Sequence, residues 1–337
     1  MTNNNRKSSL FDKETIFLIK LTEGLYRQTE LPEAGIDSID IEKFIKISLS
    51  NNLLYYSAEE ILKRPALSEQ LRDRFQGVIS SGKNALQEIS KSINEVKAHI
   101  SDYAIIKTYR GDFMRIGNDI DVLVREGDFD KIEKKFLARD YQIESNSREE
   151  KSVGLLRAGQ KKIHLHAAVS WCRSSFLDKE LIVANLRRVS YNSNEIFIPE
   201  VNADALIYLA HINFEPLLFT YAELLYLFRL LPEVDLGFIF NQASKFHWSN
   251  TLHRTINLIN SLHYFLYGVE CIKKERPKLI TFKRIRFPYV FSRLHLIRAC
   301  MEKGLFFYPL KRISKVMNIL INHDAYKYID APERGIA

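Results

Sequence analysis

The chain has 337 residues, 46% of them hydrophobic and 27% charged, which allows two or three hydrophobic cores and excludes a mainly disordered protein. Its three cysteines, Cys172, Cys271 and Cys300, are far apart and show no CxxC spacing, so a disulfide framework and a zinc knuckle are both excluded as organising devices. A net charge of +8 suits an anionic partner such as a nucleotide or nucleic acid without establishing one.

The opening MTNNNRKSS is polar and has no apolar stretch to serve as a secretory signal, so a cytoplasmic protein is expected. From Lys13 to Ser101 apolar residues recur at three- and four-residue spacing, for example Phe75, Ile79, Leu86, Ile89 and Ile93, which predicts helices. Ser68 is placed to cap the long helix that follows Pro65, and Gly82 is a predicted flaw or kink within it.

The period then changes to two. Tyr103 to Lys107 and Ile120 to Val124 are short β-branched runs, and TYRGDFMRIGN between them is a loop. Asp128 is expected to cap a helix reaching about Ala138. Tyr141 to Glu144 follows as a strand, and Gly159 with Gln160 marks a hairpin between Leu155 to Ala158 and Lys162 to Val169. A strand near Glu195 to Pro199 closes this unit.

Beyond Asn202 the helical period returns through Ala205 to Leu231, Leu252 to Tyr267 and Leu294 to Met301. The most apolar part, Ala205 to Phe240, is interrupted by His211, Glu215, Pro216, Glu223 and Arg229. A spanning helix needs roughly 20 nearly unbroken apolar residues, so no membrane segment is expected there. The basic run from Lys273 to Tyr289 mixes cations with aromatic residues; it fits a solvated loop between helices or contact with a nucleic-acid backbone.

Asp119 and Asp121 stand at alternate positions in DIDVLV, so both carboxylates share one strand face while Ile120, Val122 and Val124 pack the other. Two anions so close repel unless a cation lies near them, and Mg2+ favours a couple of carboxylates plus phosphate oxygens and water. Equally, one carboxylate can pair with Arg110 or Arg115 and the other cap the strand. Lys107, Thr108, Arg110 and Arg115 precede the acidic strand, where they could meet a triphosphate whose metal the carboxylates hold.

With this loop and strand, the helix and hairpin that follow, and KIHLHAAVSW, the chain resembles the uncharacterised nucleotidyltransferase-like family of the DNA polymerase beta superfamily. The likeness covers Tyr103 to Ala205 best, and NNLLYYSAEEIL resembles the family's N-terminal helix pair. It implies an α+β fold, with a small mixed-sheet nucleotidyltransferase-like core at residues 102–202 between helical regions at 1–101 and 203–337. It further implies Asp119 and Asp121 as metal ligands and catalytic residues. Lys107 and Thr108 stand where the superfamily has a Gly-Ser turn. His164 and His166 share one strand face, and His166 matches the family's histidine, whereas the Asp two residues before it is replaced by His164. These imidazoles can act as ligands or proton acceptors, bind phosphate, or be hydrogen-bonded strand residues.

The resulting expectation is metal-dependent transfer of a nucleoside monophosphate from a nucleoside triphosphate to a hydroxyl on a nucleic acid, a protein or a small molecule, with Mg2+ or Mn2+. The other expectation is a catalytically degenerate nucleotidyltransferase fold that binds nucleotide or nucleic acid without turnover.

Overall fold

The computed structural model describes residues 11–27, 36–64, 67–109, 117, 119–144, 152–171, 174–214, 218–272, 285 and 287–304. It has the expected α+β class: eleven α-helices among the described residues surround a five-stranded mixed sheet. The chain opens with α1 (Lys13–Arg27), α2 (Ile41–Ser50), α3 (Leu54–Leu62) and the long α4 (Glu69–His99). Ser68 caps α4 by accepting from the Leu71 N–H, Glu69 sits at its positive end, and Lys97 and His99 sit at its negative end. The helix runs through Gly82, which is buried, without interruption.

The sheet follows: β1 (Tyr103–Ile106), β2 (Asp119–Val124), α5 (Phe129–Leu137), β3 (Gln142–Ile143), β4 (Ser152–Leu156) and β5 (Lys162–His166), in spatial order β1-β2-β5-β4-β3. β2 and β5 run parallel, and the other neighbours are antiparallel. Gly159, at φ +71°, makes the left-handed turn of the β4–β5 hairpin, which a residue with a Cβ adopts only at a cost. Asp128 does not cap α5 as expected; residues Glu126–Asp128 form a 3-10 turn that leads into it with no side-chain cap.

Strand alternation separates the two faces of this sheet. Ile120, Val122, Val153, Leu155, Ile163 and Leu165 all project one way and form a core with α4 and α5. Burying each such side chain contributes roughly 1.5–3 kcal/mol. A one-residue slip would turn Asp121 and His164 into that core, so the register is strongly specified. The opposite face is split: Ala104, Ile106 and Leu123 join a second core, and the polar side chains of β2 and β5 occupy the remainder.

Two small strands, β6 (Ser170–Trp171) and β7 (Ser174–Ser175), and the short α6 (Lys179–Ala184) lead to a hairpin of β8 (Leu186–Tyr191) and β9 (Asn194–Pro199) that packs beside β1. Its first arm escapes the sequence pattern, because Arg187, Arg188 and Ser190 break the apolar run. Its turn uses Asn192 and Ser193 at φ 47° and 62° instead of a glycine.

The C-terminal helices are α7 (Val201–Phe214), α8 (Tyr221–Leu230), α9 (Leu236–Lys245), α10 (Ser249–Tyr267) and α11 (Arg293–Glu302), with the small strands β10 (Leu218–Phe219) and β11 (Tyr289–Val290). α7 is apolar nearly all round and is correspondingly buried on all sides. Its Asp204 accepts from Arg187 Nη2 at 2.8 Å and from the Tyr226 hydroxyl at 2.5 Å, tying the β8–β9 hairpin to α7 and α8. The second core gathers α1, α2, α3 and the start of α4 with these C-terminal helices. Among the described residues no helix is long and apolar enough to cross a membrane.

Candidate metal centre

β1 ends at an unusual turn. Lys107 has φ 56°, and the Thr108 N–H donates to the Ile106 carbonyl at 2.6 Å, so the chain reverses in a γ-turn centred on a residue with a Cβ. This places the Lys107 ammonium 3.4 Å from Asp121 Oδ1. The fully buried Thr108 hydroxyl accepts the Asp121 backbone N–H at 3.2 Å, which anchors the strand at the point where the β1–β2 ladder stops.

Parallel pairing of β2 with β5 sets Asp121 opposite His164, and the alternation of β5 brings His166 to the same face. His166 Nε2 lies 2.8 Å from Asp121 Oδ1, and His164 Nδ1 lies 3.5 Å from the same oxygen. The two rings are 4.1 Å apart between centroids. On the far side of both rings is Ser152 of β4, whose Oγ is 2.9 Å from His164 Nε2 and 3.3 Å from His166 Nδ1. Asp121, His164 and His166 thus form a cluster that could hold a metal ion, each offering one donor atom, with all three donors within 4.8 Å of one another.

The electrostatics follow from burial. Burial alone pushes the Asp121 carboxyl up, but the Lys107 charge and the hydrogen bonds from His164 and His166 outweigh it and hold the group well below the usual carboxylate range. Burial also lowers His166 against the opposing pull of Asp121, which keeps its imidazole neutral near pH 7. A neutral imidazole is the form that ligates a metal.

The other expected residues are placed differently. Asp119 is on the same face of β2, yet its carboxylate lies 3.7 Å from Lys162 Nζ, which also binds Glu144 at 3.3 Å, and it is not one of the three converging donors. Its partner follows from register, since Asp119 pairs with Lys162 across the strands. Arg110 and Arg115 lie outside the described residues, as does most of the basic run after Cys271. Ser152 and Lys162 carry no motif. Ser152 could have been found by reflecting the chain about Gly159, which sets it opposite His166.

Beside the cluster is a cleft lined by Lys107 and His166 together with Ile106, Val169, Ile207 and His211. Its lining is mostly apolar with a few polar groups. One carboxylate oxygen and two imidazole nitrogens fit borderline ions such as zinc or cobalt better than Mg2+, which prefers an all-oxygen shell, with manganese between them. The fold and cluster define an α+β protein with an Asp-His-His donor set, its carboxylate buried and its imidazoles half-buried. The chain matches no family model, no curated protein and no solved structure.

Proposed function

We propose that this protein is a nucleotidyltransferase-like enzyme that transfers a nucleoside monophosphate from a nucleoside triphosphate to a hydroxyl acceptor, with a divalent ion held by Asp121, His164 and His166. The observation that carries this reading is the convergence of one buried carboxylate, two imidazoles and the Lys107 ammonium beside an open cleft. When bound, the ion neutralises phosphate charge and lowers the pKa of an attacking hydroxyl. Lys107 is a cation that lines the cleft and could bind a phosphate in exchange for its present contact with Asp121. Thr108 is assigned to the triphosphate on sequence grounds; its buried hydroxyl now accepts the Asp121 N–H and must be uncovered to reach a phosphate oxygen. Arg110 and Arg115, which fall between β1 and β2 in the sequence, are assigned to the same triphosphate on sequence grounds. Asp119, at the half-buried start of the strand, is assigned to the second metal or the acceptor side, for which it must leave Lys162.

Imidazole ligation favours Mn2+ over Mg2+ here. Transfer from α-labelled nucleoside triphosphates is therefore expected to be faster with Mn2+, and Asp121→Asn is expected to abolish it along with metal-dependent nucleotide binding. Unchanged nucleotide and metal binding in Asp121→Asn would place the site elsewhere.

The Asp119–Lys162 ion pair favours a second reading, a nucleotidyltransferase fold that binds nucleotide or nucleic acid without turnover. Tight nucleotide binding with no transfer under either ion, in wild type and in Lys162→Ala alike, supports this reading against the first.

A further inference from the structure

Four nitrogen-to-oxygen contacts join two imidazoles, one carboxylate and one hydroxyl. His164 Nδ1 and His166 Nε2 face Asp121 Oδ1 at 3.5 and 2.8 Å, while His164 Nε2 and His166 Nδ1 face Ser152 Oγ at 2.9 and 3.3 Å. The contacts at 2.8, 2.9 and 3.3 Å are hydrogen bonds, and two neutral imidazoles with one N–H each and a serine with one O–H supply the three protons they need. The lone pair of His164 Nδ1 is then left facing the Asp121 carboxylate at 3.5 Å.

A cation between Asp121 and the two near nitrogens removes this conflict. Both near nitrogens then present lone pairs to the ion, both protons move to the far nitrogens, and both far N–H groups donate to Ser152 Oγ, which has two lone pairs to accept them. The serine's own proton turns away from the rings. Ligating histidines generally direct their second N–H to such an acceptor, and here one hydroxyl serves two.

We propose that Ser152 is a positioning residue that holds His164 and His166 in opposite tautomers, making the cluster a site for a nitrogen-accepting divalent cation of the zinc and cobalt class. This deepens the metal part of the function proposed above and is independent of its nucleotide part. Lys107, 3.4 Å from Asp121 Oδ1, is the resident counter-charge that such an ion must outcompete.

The test is titration of the whole chain with Co2+ alone, followed by visible absorption. Wild type is expected to develop the ligand-field bands of nitrogen coordination. Ser152→Ala is expected to weaken Co2+ binding about 10- to 100-fold, and Ser152→Thr, which keeps the hydroxyl, to recover most of the loss. Equal affinity in wild type and Ser152→Ala overturns the proposal, as does a wild type that binds no Co2+. Nitrogen-15 NMR of the Zn2+-loaded wild type decides the matter even where Ser152→Ala fails to fold. The imidazole proton is expected on Nε2 of His164 and on Nδ1 of His166; the same tautomer in both rings overturns the assignment. Co2+ is read without nucleotide, so the two readings fail separately. Absence of transfer with intact Co2+ behaviour removes only the nucleotidyltransferase reading, whereas transfer with Co2+ affinity unaffected by Ser152→Ala removes only this one.

Discussion

Asp121 keeps its charge in a nearly dry place because a lysine and two imidazoles crowd one of its oxygens. The same crowding makes Lys107 a competitor for any metal, since two cations near one oxygen repel. Lys107→Ala is therefore expected to raise Zn2+ affinity about tenfold in the nucleotide-free protein, while lowering affinity for a nucleoside triphosphate. Paired calorimetric titrations check this, and a parallel fall in both affinities would show that Lys107 only organises the turn. A second residue governs acid stability. His295 stacks on Phe291 at 4.3 Å and contacts Asn213 Oδ1, and burial, helped by the Arg254 charge, lowers its pKa to about 4. The unfolded chain takes up this proton nearer pH 6.5, so the contribution is complete above that pH and is lost as pH falls toward 4. Urea melts at pH 7 and pH 4.5 are expected to differ by roughly 2 kcal/mol less in His295→Asn than in wild type.

Among the elements, those governed by local chemistry were legible in the sequence and those completed from a distance were not. The Ser68 cap of α4, the Gly159 hairpin and the alternations that put Asp119 with Asp121 and His164 with His166 on one face of their own strands all depend on near neighbours. The parallel β2–β5 pairing is set by the crossover through α5, β3 and β4, so the capture of Asp119 by Lys162 could not be foreseen from the acidic pair alone. Likewise, α10 begins after Trp248 with no side-chain cap of its own. Glu302, from α11, supplies it by accepting from the Asn250 and Thr251 N–H groups at 2.7 and 2.8 Å. Glu302→Ala is expected to destabilise the protein by about 1–2 kcal/mol in chemical denaturation, more than the roughly 1 kcal/mol expected for Ser68→Ala. The reverse order would mean that α10 is held by packing alone.

At the scale of the whole molecule, the helices that open the chain share a core with those beyond the sheet. Asn51 joins them: it donates to the Phe287 carbonyl at 3.0 Å and accepts the Tyr221 N–H at the start of α8 at 2.9 Å. Asn51→Ala leaves both backbone groups buried without this partner and is expected to cost roughly 2–3 kcal/mol, measured by thermal and urea melts. A loss under about 0.5 kcal/mol would show that the two ends of the chain are not coupled through this residue. This joint core includes Ala104 and Ile106 of β1 together with Ile207, Ala210 and Phe214 of α7, the last three of which line the cleft.

The metal centre itself is tested most directly by a crystal structure grown with Zn2+ or Mn2+ and measured across that metal's absorption edge. The predicted result is one anomalous peak bonded to Asp121 Oδ1, His164 Nδ1 and His166 Nε2, with Ser152 Oγ within hydrogen-bond reach of both outer nitrogens. A fully loaded crystal with no peak there, Lys107 still paired to Asp121 and both imidazoles unmoved, would contradict it.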